Sequence, residues 1–160
     1  MVAGECRATR EEMNAKLKAS SVAFLRKKGF KGSFPNLYRD TCGFIALVNF
    51  QFFSSGGSFC VNLSYVGPNG ENVYFKPDTP PRKLSVSQTR ERARLGAAKE
   101  DRWFSFGETS YGKYRGTVET PDAIADLVNR LFESHAEPWW ESKNRQYVNL
   151  PDGSLRTNTS

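Results

Sequence analysis

Three side-chain amides and three guanidiniums fall at spacings that could gather them on one surface. Asn49 and Gln51 stand two residues apart, Asn62 lies in a second alternating run, and Arg90, Arg92 and Arg94 alternate with Glu91, Ala93 and Leu95. In an extended chain, residues two apart point to the same side. Amides and guanidiniums facing one way could hold a carboxylate, a phosphate or an acidic loop of another protein, with arginine supplying paired N–H donors. The competing reading is that the open face of an antiparallel sheet is normally polar. Amides inside strands nevertheless run against β-propensity and so invite an explanation.

The remaining candidates for chemistry are weaker. His135 is the only histidine and stands beside Glu133 and Glu137 near an expected helix end. A lone imidazole with no partner at ligand spacing makes a poor metal site, whereas a histidine at a helix C-terminus complements the dipole. Cys60 is expected on the amide face beside Gln51 and Asn62, neither of which can serve as a base for a nucleophilic thiol. Glu100 and Asp101 are adjacent and would point apart in a strand. No phosphate loop, dinucleotide-binding glycine pattern or nucleophile elbow is present. The expectation is no catalytic residue, no metal ligand and no cofactor. Aromatic residues beside positive charge, Tyr38 with Arg39 and Trp103 with Arg102, suggest a platform for single-stranded nucleic acid. Core packing accounts for most of these rings.

The elements that would position the amides centre on Phe44 to Tyr65. Phe44, Ala46, Val48, Phe50 and Phe52 alternate before Ser54-Ser55-Gly56-Gly57, and Phe59, Val61, Leu63 and Tyr65 alternate after it. This is the pattern of a hairpin, and pairing Phe52 with Phe59 places every member of both apolar sets on one face. Asn49, Gln51, Asn62 and Cys60 then share the other face, which becomes apolar at Ile45, Leu47 and Val66.

Upstream, Thr9 and Glu12 have capping-box spacing, and Met13, Leu17, Phe24 and Leu25 form a helical stripe. A first helix is expected from Arg10 to Lys28, ended by Gly29. A short strand through Phe34, Leu37 and Tyr38 follows, with Pro35 arguing for an edge position and Asp40 to Gly43 turning into the hairpin.

Downstream, Gly67 to Gly70 is a turn, Asn72 to Lys76 a short strand, and Pro77, Pro80 and Pro81 a loop. Ser85 to Leu95 fits two periods. As a strand it aligns the arginines; as a helix it has Ser85 and Gln88 in a capping box. Trp103 to Phe106 reads as an aromatic strand and Tyr111 to Tyr114 as a loop or short strand. A second helix opens at Thr120-Pro121-Asp122, buries Ile124, Leu127, Val128, Leu131 and Phe132, and is expected to stop at Pro138.

The fold class expected is α+β: an antiparallel sheet of about four to six strands around the central hairpin, packed on one face by an N-terminal and a C-terminal helix. The 160 residues suit one domain over 10–143, with a flexible start over 1–9 and a mobile polar tail over 144–160. A net charge of +6 favours acidic partners or nucleic acid, though it also serves solubility. Three cysteines leave one over from any pairing, and no apolar run is long enough to cross a bilayer. A cytoplasmic protein with no membrane association is expected. The oligomeric state is open.

The segments FLRKKGFKGSFPNLYRD, FIALVNFQ, FCVNLSY, RARLG, DRWFSF and EPWW, in that order, resemble a family of small bacterial domains, domain-of-unknown-function family 4304. The resemblance runs from Val22 to Trp140 and rests on a Gly29-Phe30 step, Tyr38 with Arg39, Asn49 with Gln51, Asn62 with Leu63, Arg94-Leu95-Gly96, and Asp101 with Trp103. Phe104 stands where a second Trp is common. The resemblance implies an α+β domain with an antiparallel sheet and favours the extended form of Arg90 to Arg94; it brings no established activity. The function expected is a non-catalytic interaction domain, of immunity or regulatory type, that holds an acidic protein partner through Arg39, Asn49, Gln51, Asn62, Arg90, Arg92 and Arg94. The alternative is nucleic-acid binding through Lys27, Lys28, Lys31, Arg39 and the arginine triplet, and the third reading is an enzyme with an unfamiliar site.

Overall fold

The computed structural model describes residues 8–54, 56–73, 79–80, 83–97, 102–107 and 118–147. Thr9 caps the first helix as its sequence requires: its hydroxyl accepts the Glu12 N–H at 3.0 Å, and the Glu12 carboxylate accepts the Thr9 N–H at 2.8 Å. Helix α1 (Arg10–Lys16) passes without a break through a π-helical stretch, Leu17–Val22, into α2 (Ala23–Lys27). Met13, Leu17, Val22 and Leu25 are buried along it. Gly29 leaves the helix at φ +96°, a conformation open to glycine, and the Phe30 N–H bonds back to the Leu25 carbonyl at 3.0 Å.

Six strands follow among the described residues: β1 (Lys31–Ser33), β2 (Asn36–Thr41), β3 (Phe44–Phe52), β4 (Ser58–Val66), β5 (Ala93–Arg94) and β6 (Phe104–Ser105). They form one antiparallel sheet in the order β1-β2-β3-β4-β5, with β6 also pairing with β4. The expected single strand around Pro35 is two strands. Pro35 follows a cis peptide bond in the turn between them, because its missing N–H is harmless there; β1 is the edge, and β2 is paired on both sides. Cys42 (φ 53°) and Gly43 (φ 94°) make the two-residue turn from β2 to β3, and the Asp40 carboxylate accepts the Gly43 N–H at 2.9 Å. The β3–β4 hairpin has the register its alternation demands, with Phe52 opposite Phe59 and Asn49 opposite Asn62.

Past β4, Val73 makes a single antiparallel bridge to Thr89, while the rest of the strand expected over 72–76 lies largely outside the described residues. So do Ser55, Pro77, Pro81, Glu100, Asp101, the segment 111–114 and the chain beyond 147.

The second helix is capped by Thr120, whose hydroxyl accepts the Ala123 N–H at 3.2 Å, with Pro121 at the first helical position. It comprises α3 (Pro121–Leu131), a π-helical stretch (Phe132–Ala136) and α4 (Glu137–Asn144). Pro138 therefore does not stop it. The widened turn of the preceding π segment accommodates a residue that lacks an N–H and crowds the carbonyl behind it. A 3₁₀ turn over Arg145–Tyr147 follows, with Tyr147 buried against Tyr65, so the polar tail expected from residue 144 does not begin there.

Both composite helices pack on the Phe44/Val48/Phe50 face of the sheet. There Phe50 is 2% exposed and its ring meets Phe34, Phe59 and Phe132 at centroid distances of 5.1, 6.4 and 6.4 Å. Trp140 is buried beside Phe30 and donates its indole N–H to the Ser64 carbonyl at 2.8 Å. On the opposite face, Ile45, Leu47 and Val66 form a smaller cluster with Leu84 and Val86. Phe50→Ala is expected to lower stability by about 3–5 kcal/mol, since it empties a ring-sized space shared by sheet and helix; urea unfolding with the m-value unchanged would measure it, and a cost below about 1 kcal/mol would place this face outside the core.

Candidate functional site

Register builds the site. Asn36 pairs with Asn49, Asn49 with Asn62, and Asn62 with Arg94, so four neighbouring strands each set one polar side chain at the same level of the sheet. The row spans roughly 14 Å at ordinary strand spacing. Its hydrogen bonds all run one way. Arg94 Nε donates to Asn62 Oδ1 at 2.9 Å, Asn62 Nδ2 donates to Asn49 Oδ1 at 3.1 Å, and Asn49 Nδ2 donates to Asn36 Oδ1 at 2.8 Å. Asn62 Nδ2 also donates to Gln51 Oε1 at 2.9 Å. The Cys60 thiol points toward Gln51 Oε1 and Asn62 Oδ1, both at 3.8 Å, and is buried.

One end of this face is closed by the segment after the proline loop. Val86–Gln88 is a 3₁₀ turn begun by a capping box between Ser85 and Gln88, and it seats Leu84 and Val86 over Leu47 and Val66. Thr89 is fixed by its hydroxyl contact with Ser64, and Glu91 by Tyr65, whose phenol donates to it at 2.8 Å, and by the Lys143 ammonium from α4. Burial, followed by that bond to Glu91, pushes the Tyr65 phenol far above its ordinary range. Burial alone would raise the Glu91 carboxyl, but its hydrogen bonds to Lys143 and Tyr65 prevail and hold it below the ordinary value. Arg92 is anchored in turn, its Nε donating to the Thr89 carbonyl at 3.0 Å and its Nη2 to the Ser87 carbonyl at 3.3 Å.

Between the amide row and this segment lies a half-open cleft of about 630 Å³. Asn36, Asn49, Gln51, Asn62 and Arg94 line it from the sheet; Ser85 to Ser87 and Arg92 line it from the segment. Among its described lining residues there is no acidic side chain. Arg92 is exposed and has no carboxylate within ion-pair distance among the described residues.

Five of the seven residues expected to bind, Asn49, Gln51, Asn62, Arg92 and Arg94, thus meet at one cleft. Arg39 does not. It pairs with Ala46 in the register, which puts it on the helix side, where it donates to both carboxylate oxygens of Glu137 at 2.8 and 2.7 Å between the rings of Phe30 and Trp140. That arrangement clamps β2 to α4. Arg90 is exposed and does not line the cleft either. The arginine triplet fails to share a face because only Ala93–Arg94 is strand, and the turn at Val86–Gln88 uses up the residues before it. Neither the wholly extended nor the helical form of Ser85 to Leu95 is adopted.

His135 lies inside the composite helix rather than at its end, so it is no dipole partner. Its Nδ1 accepts the Gly96 N–H at 2.9 Å and holds a residue at φ +82°. Asn36, Ser85 and Ser87 were not legible as site residues from the arginine and amide pattern alone. Asn36 had a signal: turning the chain at Cys42-Gly43 places it opposite Asn49. Among the described residues no group of three or more His, Cys, Asp or Glu could hold a metal ion, and no helix is long and apolar enough to cross a membrane.

The fold and cleft define a small α+β domain with a two-faced antiparallel sheet, one face under helices and the other carrying a polar cleft. The chain belongs to the family described as Domain of unknown function (DUF4304), whose model matches residues 21–142. No curated protein and no solved structure shows a significant match to it.

Burial lowers the His135 pKa below its ordinary value, so the folded chain takes up this proton less readily than the unfolded one. Stability on this account is complete above about pH 6.5 and falls as pH drops through that value toward the lower folded-state pKa. Since the chain has a single histidine, thermal unfolding between about pH 7.5 and 5.5 should show a falling midpoint that His135→Gln flattens. An equal fall in both proteins would separate the effect from this residue.

Proposed function

We propose that this domain is a non-catalytic, cytoplasmic interaction module that receives an acidic surface of a partner protein in the amide and arginine cleft. The observation that carries the reading is the one-way row Arg94, Asn62, Asn49, Asn36 lining a cleft with two arginines and no described acid. A row of paired polar groups exposed on only one side costs side-chain entropy to order, and a complementary charged guest offsets that cost. An immunity or regulatory role, in which the module masks or controls the partner, is one form of this reading. Catalysis has less support: the Nδ1 of His135 is bonded to a backbone N–H, and the buried Cys60 thiol has amides for neighbours.

Nucleic-acid binding is the second reading. The net charge of +6 and the stacking of Arg94 over Trp103 at 5.5 Å favour it. The Trp103 ring, however, already meets Phe53 edge-on at 5.7 Å, and Phe104 is buried against Phe59.

Arg92 is the residue on which to test the interaction, because it is exposed, whereas Arg94 is tied into the sheet and its loss would disturb the floor of the cleft. Peptides selected on the domain from an unbiased display library should be enriched in Asp and Glu, and Arg92→Glu should weaken them by about tenfold or more, the scale of one or two charge-assisted hydrogen bonds. Selected peptides with no acidic bias, or affinities unmoved by Arg92→Glu, would refute the reading. Tight single-stranded oligonucleotide binding that weakens steeply with salt would favour the second one instead.

A further inference from the structure

The direction of the amide row decides what the cleft can recognise. Every carboxamide oxygen in it accepts a bond: Asn62 Oδ1 from Arg94, Asn49 Oδ1 from Asn62, Asn36 Oδ1 from Asn49, and Gln51 Oε1 from Asn62 and the Cys60 thiol. The nitrogens are spent unevenly. Asn62 Nδ2 donates twice and Asn49 Nδ2 once, whereas Asn36 Nδ2 and Gln51 Nε2 have no partner among the described residues. Arg92 uses Nε and one Nη2 bond to hold its own loop, and its Nη1 has no partner among the described residues. A side-chain amide nitrogen can only donate, and so can a guanidinium. The oxygens are therefore engaged along the row, and polar hydrogens are left over on the cleft lining at Asn36, Gln51 and Arg92, with a single further one on Asn49.

We infer that the cleft is a carboxylate receptor in which Asn36, Gln51 and Arg92 contact the guest directly, the guest being an Asp or Glu side chain on an extended segment of a partner protein. A carboxylate is acceptor-only and takes up several N–H donors at once, whereas an amide of the same shape brings its own donors against theirs. Arg94, Asn62 and Asn49 are positioning residues; they hold the contacting groups at fixed places on the sheet. The protein source follows from the shape of the site: it is half-open and about 630 Å³ in volume, so a few residues of a passing chain fit while both of its ends remain outside. This inference rests on the proposed interaction role and adds to it the group that is read and the residues that read it.

Two substitutions isolate the point. In Asn36→Asp and Gln51→Glu the retained oxygen can still accept the bonds from Asn49, Asn62 and Cys60, so the row keeps its geometry while the outward donor is replaced by an acceptor. With the full chain and ¹⁵N-detected side-chain amide signals, acetyl-Glu-Glu-Glu-amide should shift the NH₂ resonances of Asn36 and Gln51, and acetyl-Gln-Gln-Gln-amide should not. Asn36→Asp with Gln51→Glu should weaken the triglutamate peptide at least tenfold with the Asn49 and Asn62 signals in place. Equal response to the glutamine peptide overturns the inference, as does saturation by inorganic phosphate or an oligonucleotide in preference to the triglutamate. Acidic-peptide binding that is lost in Arg92→Glu yet indifferent to Asn36→Asp and Gln51→Glu overturns the assignment of contacts and leaves the interaction role standing. Absence of any acidic-peptide binding removes both.

Discussion

The fixed register of β3 against β4 is the constraint on which the rest depends. With a side-chain period of two, a slip of one residue would carry Phe50 and Val61 into the solvent and bury Asn49 and Asn62 beneath the helices. The aromatic face resists that slip. Phe50 and Phe59 are held among Phe34, Phe104 and Phe132, and each of these contacts exists only in one pairing. The polar face is thus set by packing that occurs on the other side of the sheet. The amide row inherits its alignment from a core it does not touch.

The helix side shows how charge is used where it is structural. Arg39 is partly buried, doubly bonded to Glu137 and flanked by two rings, so its charge is matched and its planar group shielded. Arg92, on the far face, keeps its chain in place with backbone carbonyls and leaves its charge turned to the cleft. Two arginines of the same chain therefore do different work, and the difference follows from which side of the sheet the register assigns them.

Much of this is legible in the sequence alone. Alternation in Phe44 to Tyr65 settles the hairpin and its two faces, because the apolar sets fit only one pairing. Thr9 with Glu12, and Thr120 with Pro121, mark helix starts by local hydrogen bonding that needs no tertiary context. The misses share a physical cause, which is dependence on something distant or on rare backbone. Pro138 reads as a stop unless the π turn before it is known, and that turn has no pattern of its own in the sequence. Arg39 reads as a surface charge unless Glu137, nearly a hundred residues away, is known to face it. Ser85 to Leu95 reads equally as strand or helix because periodicity cannot see that Leu84 and Val86 must fold over the sheet first. Asn36 was readable in principle, since it needed only the short turn at Cys42-Gly43 to be carried one pairing further.

An asparagine carboxamide keeps nearly the same outline when turned over end for end, so nothing in β2, β3 or β4 alone says which way their amides should point. A guanidinium has no such freedom: it gives hydrogen and never takes it. Arg94, at the border of the sheet, therefore acts as a polariser for its neighbours, and each aligned dipole biases the next. Were that border residue an acceptor, the whole file of amides could reverse, and Asn36, three strands away, would offer oxygen instead of nitrogen to whatever meets it. The sign of the surface at Asn36 is written three strands away, at Arg94.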